Sequence, residues 1–314
     1  MFTRKQGYFL TLTSAGLVMM AGCGSSSSST PEEETQTGFL SLGISDGPVH
    51  DAQKVCITFD EIEFKKADGA PFIVQLDPSE KVNLLDFQGA NAAPILMGEE
   101  LPAGNYEWMR LGVDASLGGN GGGGDTSGIM CDGEGSYIVM EDQSVYNLYV
   151  PSGAETGLKL VSGFTVPVNG SADFTAEFDL MKSITAPPGL QPDVVLKPAI
   201  RLVNNVEVGT LTGEVTGDLV TAEACTPSVY VFDDGVTPNA IETGEDIDAN
   251  DPIATAMVNE QTNADATTTY LYTVGFLLPG QYEVAFTCDG ETFEPEAGKP
   301  AEILAQEVTT VDFP

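Results

Sequence analysis

Between residues 171 and 180 the chain alternates without a break. Ala172, Phe174, Ala176, Phe178 and Leu180 are apolar, and Ser171, Asp173, Thr175, Glu177 and Asp179 between them are polar. A period of two is that of a strand with one face packed and the other, acidic here, in water. Short runs of the same kind recur at 38–45, 54–64, 72–76, 81–85, 106–115, 137–139, 145–150 and 194–203. They continue at 206–216, 228–232, 253–258, 267–276, 282–288 and 307–313. No stretch sustains a 3.6-residue period; a short helix is predicted only at 93–97. The chain's 35 Gly and 19 Pro fall in clusters between these runs. This spacing predicts an all-β protein of two antiparallel β-sandwiches in tandem, meeting near Asn204 and Asn205 with no long linker.

An internal echo supports two modules. Leu101-Pro102-Ala103-Gly104-Asn105-Tyr106 resembles Leu278-Pro279-Gly280-Gln281-Tyr282. Proline fixes φ and glycine supplies positive φ, so each segment predicts a tight turn into a strand with its tyrosine facing inward. This turn is common in prealbumin-like and carboxypeptidase-regulatory-like sandwiches, and residues 206–314 resemble such a module. Trp108 alternates with Tyr106 and Arg110, and core packing is its expected place.

The N-terminus carries a second kind of signal. Arg4 and Lys5 precede an apolar stretch over 8–21, shorter than the roughly 20 residues that span a bilayer. It reads as a secretory signal that is removed. Small residues ending at Gly22-Cys23 resemble the bacterial lipobox, although Met20 stands where leucine is usual. The resemblance implies that Cys23 becomes the lipidated first residue of the mature protein; the alternative is an ordinary signal with a chance cysteine. Gly24, where aspartate would imply inner-membrane retention, implies the outer membrane, with the side the body faces left open. Residues 1–22 are thus the expected signal peptide, and 23–36, with serine at 25–29 and then Pro31-Glu32-Glu33-Glu34, predict a lipidated, flexible tether.

Four cysteines remain after Cys23, an even number suited to an oxidising compartment. Three pairings are possible, and one bridge per half, Cys56–Cys131 and Cys225–Cys288, is the economical choice. Cys288 shares a face with Tyr282, Val284 and Phe286 and points to a core. Cys56 faces away from Val55, Ile57 and Phe59, so its bridge would pin a loop to an outer sheet face.

Several segments together carry a family likeness. They are 38–48 (Gly38 to Ser45-Asp46-Gly47-Pro48), 151–160, 178–184 (Phe178-Asp179-Leu180-Met181-Lys182-Ser183-Ile184) and 196–202 (Leu196 to Ile200-Arg201-Leu202). In this order they resemble the DUF4382 domain of bacterial lipoproteins over residues 37–205. The resemblance implies a β-sandwich attached to the cell envelope and brings no activity and no catalytic residues.

Composition narrows the function. The chain has 12 Lys+Arg against 47 Asp+Glu, a formal charge of −35. Removing Arg4 and Lys5 with an acid-free signal gives 10 − 47 = −37. That excess repels nucleic acid and anionic headgroups, so nucleic acid is excluded as a partner. His50 is the only histidine, in an expected turn, so multi-histidine zinc sites are impossible and a Ser-His-Asp triad has little to stand on. The glycine-rich segment 118–124 lacks the Lys-Ser/Thr of a phosphate loop. At 245–252, Asp246, Asp248 and Asn250 alternate as in the opening of a calcium loop, with Asp251 beside them and Asp233 and Asp234 as further donors. The glycine and distal glutamate of that loop are missing, and a solvated loop is the competing account. No cofactor other than calcium is suggested.

The expected protein is therefore a non-enzymatic lipoprotein of the outer membrane, binding or structural, with an unidentified protein or carbohydrate partner. The alternatives are a calcium-dependent adhesion or carbohydrate-binding module, and an envelope glycan hydrolase. A carboxylate pair buried in a cleft would favour the hydrolase; acids scattered over sheet faces would favour the binding module.

Overall fold

The computed structural model describes residues 36–47, 52–115, 130–151, 157–185, 194–197, 199–222, 225–241 and 250–314. The first group of elements is β1 (Thr37–Gly47), β2 (Ala52–Lys66), β3 (Phe72–Asn83), β4 (Ala93–Pro102), β5 (Gly104–Val113), β6 (Tyr137–Met140) and β7 (Val145–Tyr149). It continues with β8 (Leu158–Leu160), β9 (Phe164–Val166), β10 (Ser171–Asp179), the single turn α1 (Leu180–Ser183), β11 (Ile184–Thr185), β12 (Val194–Leu196) and β13 (Ile200–Asn204). These strands form a four-stranded sheet in the order β13-β10-β1-β4 and a nine-stranded sheet built on β11-β12-β7-β6-β2-β5-β8. In the larger sheet β3 joins β2 and β9 joins β5.

The second group is β14 (Gly209–Val215), α2 (Gly217–Val220), β15 (Ser228–Asp233), β16 (Ala254–Met257), β17 (Asn259–Thr262), β18 (Thr268–Leu277), β19 (Gly280–Thr287), β20 (Phe293–Ile303) and β21 (Val308–Thr310). It makes two four-stranded sheets, β17-β18-β14-β21 and β16-β15-β19-β20. Each group closes over its own core. Leu40, Leu42, Ile57, Phe59, Leu111 and Phe178 are fully buried in the first, and Leu211, Val229, Val231, Leu277 and Val284 in the second. Full burial of one such side chain is worth about 1.5–3 kcal/mol, so the alternating apolar faces drive both closures.

The protein is all-β, as the strand spacing predicts. Pairing is mostly antiparallel, with a correction: β1–β10, β7–β12 and β14–β21 run parallel. The expected helix at 93–97 is the start of strand β4, whose pairing along β1 overrides the helix propensity of Ala, Leu and Met. The run 194–203 divides into β12 and β13, which lie in different sheets. The segments 72–76 and 81–85 become one strand followed by a 3-10 turn at Leu84–Asp86.

The repeated turn is the same device in both halves. The Tyr106 hydroxyl donates to the Pro102 carbonyl and the Tyr282 hydroxyl to the Leu278 carbonyl, each at 2.7 Å and four residues back. Both rings are buried. The expected positive φ is found at Gly104, where it is +135°, but not at Gly280, so the two turns share the tyrosine bond and not the glycine conformation.

Both disulfides form with one bridge per half, the economical choice among the three pairings. Cys56–Cys131 has a Cα–Cα distance of 5.7 Å and packs with Tyr137 and Val139 in a satellite cluster outside the main core. Cys225–Cys288, at 4.5 Å, packs against the second core.

Candidate functional site at the seam of the two sheet pairs

Residues 35–314 form one compact unit, and the two sheet pairs touch along a seam. A Cβ added to Gly47, at the end of β1, would lie 3.4 Å from the Thr255 hydroxyl of β16. One added to Gly275 in β18 would meet the Gly89 carbonyl oxygen at 2.5 Å, too close for any side chain. Glycine at 275 is what lets the backbones approach, whereas the contact at Gly47 is an ordinary one.

A cleft of about 360 Å³ opens on this seam, lined by Glu177, Asp179, Lys182, Arg201, Ile253 and Thr255 among others. Local rules place the charged groups. In β10, Glu177 stands opposite Arg201 of β13 in register, and the guanidinium donates to the Glu177 carboxylate in an ion pair. Asp179 caps α1, accepting from the Lys182 backbone N–H at 3.2 Å. The Lys182 ammonium lies 3.7 Å from the second Asp179 oxygen and donates to the Pro252 carbonyl, across the seam. Asp46 continues the inward face of Leu40, Leu42 and Ile44 and sits at the end of the first core, almost fully buried.

Burial controls the electrostatics. It pushes the Asp46 carboxyl well above the ordinary carboxylate range, and the charge of Asp179 adds to the effect. The backbone N–H groups of Leu180 and Gly47 pull the other way, but neither Asp46 oxygen has a well-formed hydrogen bond among the described residues. Burial also raises Glu177 against the pull of Arg201 and raises Asp179 against that of Lys182. Two residues lining the cleft, Arg201 at an Nη and Thr255 at its Oγ, have a solvent-inaccessible polar atom without a hydrogen bond among the described residues, and the Asp179 oxygen that faces Lys182 is held by that ion pair alone.

These positions depart from the expected wet face of the strand at 171–180. Ser171 and Asp173 are exposed as predicted, but Thr175 is buried and Glu177 and Asp179 are largely covered. The second sheet pair shields that end of β10, which no alternation within one strand can reveal. A signal was nevertheless present. Asp46, Asp179, Lys182 and Arg201 all lie in the segments that carry the DUF4382 likeness.

The other sequence candidates fall elsewhere. Cys23, His50, residues 118–124, Asp246 and Asp248 lie outside the described residues. Asn250 is exposed and Asp251 half-buried just before β16, while Asp233 and Asp234 are exposed. Among the described residues no group of three or more His, Cys, Asp or Glu is placed to hold a metal ion. Trp108 is not in the core. The inward phase of β5 shifts between Tyr106 and Met109, at an irregularity opposite Lys65 and Lys66, so Trp108 and Arg110 face outward. The Arg110 guanidinium and the Lys159 ammonium lie 5.0 and 4.5 Å from the Trp108 ring centre, and Arg110 pairs with Glu63 at 2.7 Å.

Comparison with known proteins adds a family. No curated protein matches the chain. Among solved structures, the minor pilin GBS52 of Streptococcus agalactiae is similar at 11% identity, covering 87% of this chain and 94% of that one, with a TM-score of 0.20. A candidate adhesin of Bacteroides ovatus is similar at 11% identity over 95% and 99% of the two chains, with a TM-score of 0.17. Another from Bacteroides thetaiotaomicron gives 11%, 82%, 79% and 0.19. At such scores these likenesses carry no argument about this protein. The model of the domain of unknown function DUF4382 matches residues 37–198, which is 198 − 37 + 1 = 162 of 314 residues and more than half of the chain. The chain therefore belongs to the DUF4382 family.

Proposed function

We propose that this chain is a lipid-anchored, non-catalytic binding or structural module of the bacterial outer membrane, held through Cys23. Its body would be two modules, 37–205 and 206–314, the second prealbumin-like. The observation that supports this most is the pair of disulfides, one on each sheet pair. Structural disulfides persist in oxidising compartments, which agrees with export by the N-terminal signal. Palmitate labelling of the wild type and of Cys23→Ser tests the anchor: label in the wild type alone is expected, and equal label in both would refute it.

A glycan hydrolase is the second account, favoured by Glu177 and Asp179 lining one cleft with raised carboxyls. A general acid is made in this way. Against it, each carboxylate is engaged by a cation, Glu177 by Arg201 and Asp179 by Lys182. Those pairs do the work of joining elements, and the non-catalytic account is preferred.

A further inference from the structure

We propose that the outward sheet face around Trp108 binds an acidic polysaccharide, taking one uronate residue with its ring on the indole and its carboxylate on Lys159. The proposal deepens the non-catalytic binding account and rests on it.

The face is built by the neighbouring strands β2, β5 and β8. Register puts Glu63, Arg110 and Lys159 in one row across it, and Lys65 opposite Trp108 in the next. The strands β2 and β5, which carry Lys65, Trp108 and Arg110, are paired on both sides. An added strand therefore finds no free backbone at Trp108, and recognition there rests on side chains.

Charge singles this face out. Without Arg4 and Lys5 the chain has 12 − 2 = 10 Lys and Arg, and three of them gather here. Lys65 pairs with Glu107 at 3.5 Å and Arg110 with Glu63 at 2.7 Å. Glu61, beyond Arg110 and away from the ring, accepts from Gln75 at 2.6 Å. Lys159 is exposed and forms no ion pair among the described residues; its ammonium lies 4.5 Å from the indole centre. One positive charge is thus left over in a predominantly acidic body. That body repels an acidic chain elsewhere, and screening confines each field to about 8–10 Å, so the local cation decides where the chain settles. One spare cation suits one carboxylate, whereas a phosphate chain needs several.

The indole sets the second requirement. Arg110 and Lys159 are register partners two residues along β5 from Trp108, so both cations approach the ring from that end of the strand. The ring keeps part of its surface in solvent. A ligand must then bring apolar surface and an anion side by side, because ring and ammonium are only 4.5 Å apart. A uronate does this within one residue. The C–H groups of its pyranose lie on the negative face of the indole, and its carboxylate stands at the ring edge. An acidic peptide carries its charge on a side chain with no such face beside it.

Trp108 is the chain's only tryptophan, so indole fluorescence of the full chain in detergent reports on this face alone. Oligogalacturonate should change that emission saturably, and its neutral methyl ester and poly-glutamate should bind more weakly. Lys159→Gln should weaken oligogalacturonate binding about tenfold, the worth of one charge-assisted hydrogen bond, while Lys299→Gln, in the second sheet pair, leaves it unchanged. Trp108→Leu, followed by titration calorimetry, should lose the preference for oligogalacturonate over poly-glutamate. No binding of oligogalacturonate, or Lys159→Gln binding like the wild type, would overturn the site. Equal binding of the methyl ester would overturn the role of the carboxylate. Poly-glutamate binding as tightly would overturn the polysaccharide in favour of an acidic protein. Shortening of the oligogalacturonate would sink the non-catalytic account and leave the sugar-binding face standing. Absence of binding in a chain that carries palmitate on Cys23 would sink the face and leave the anchor.

Discussion

Asp46 is the residue whose chemistry departs most from that of a solvated carboxylate. Its ordinary value is 3.8, and burial raises it well above that, helped by Asp179 and Glu177 and opposed by the Leu180 and Gly47 amides. Lys182 and Arg201 are the cations of the same neighbourhood, paired with Asp179 and Glu177 respectively. A carboxyl raised on folding holds its proton where the unfolded chain has released it. Folding stability from Asp46 is therefore highest below 3.8 and is lost as pH rises through the raised value. Asp46→Asn should match the wild type near pH 4 and melt at a higher temperature at pH 7; calorimetry at both pH values checks this. An identical difference at the two pH values would show that Asp46 is ionised in the native state. The turn tyrosines offer a second test at this scale. Tyr282→Phe should cost about 1 kcal/mol, the usual net worth of a hydrogen bond whose acceptor stays near solvent. Urea denaturation measures it, and no change in midpoint would contradict the structural role of the Tyr282–Leu278 bond.

Among the elements, the strand β10 shows both how far the sequence can be read and where it stops. Its alternation correctly places Phe174, Ala176, Phe178 and Leu180 on the core side. It could not show that Glu177 and Asp179 are covered by residues some 75 positions later in the chain, such as Ile253 and Thr255. Periodicity reports which face a side chain takes, and tertiary packing decides what lies on that face. The same limit explains the strand at 93–97 and the division of 194–203, both settled by pairing partners remote in sequence. The cysteines were more legible, because facing alone told a core bridge from an outer one. Each bridge closes a long loop, with sequence separations of 75 and 63. Replacing either pair by serine should cost roughly 2–4 kcal/mol. The loss should be greater for Cys225 and Cys288, which pack against a core. Denaturation of the two serine pairs compares them, and a larger loss at Cys56 and Cys131 would reverse the ranking.

As a whole, the molecule is an acidic body in which two sheet pairs share a tight seam. Gly275 against Gly89, Gly47 against Thr255 and Lys182 on the Pro252 carbonyl all hold that seam. The two cores should therefore melt together in one calorimetric transition. Gly275→Ala drives a Cβ into backbone and should cost about 1–3 kcal/mol by overpacking. Its melt should also split into two transitions as the seam loosens. A wild type that already melts in two steps would mean that the halves are energetically independent. The proposed anchor belongs to this scale as well, since it would determine where the body acts. Two or more acyl chains give stable membrane attachment where one is marginal. The most direct measurement is mass spectrometry of the N-terminal peptide of the mature protein recovered from membranes. The account predicts a peptide beginning at Cys23 and carrying the mass of diacylglycerol and an amide-linked acyl chain. A mature chain beginning at another residue, or at an unmodified Cys23, would contradict it.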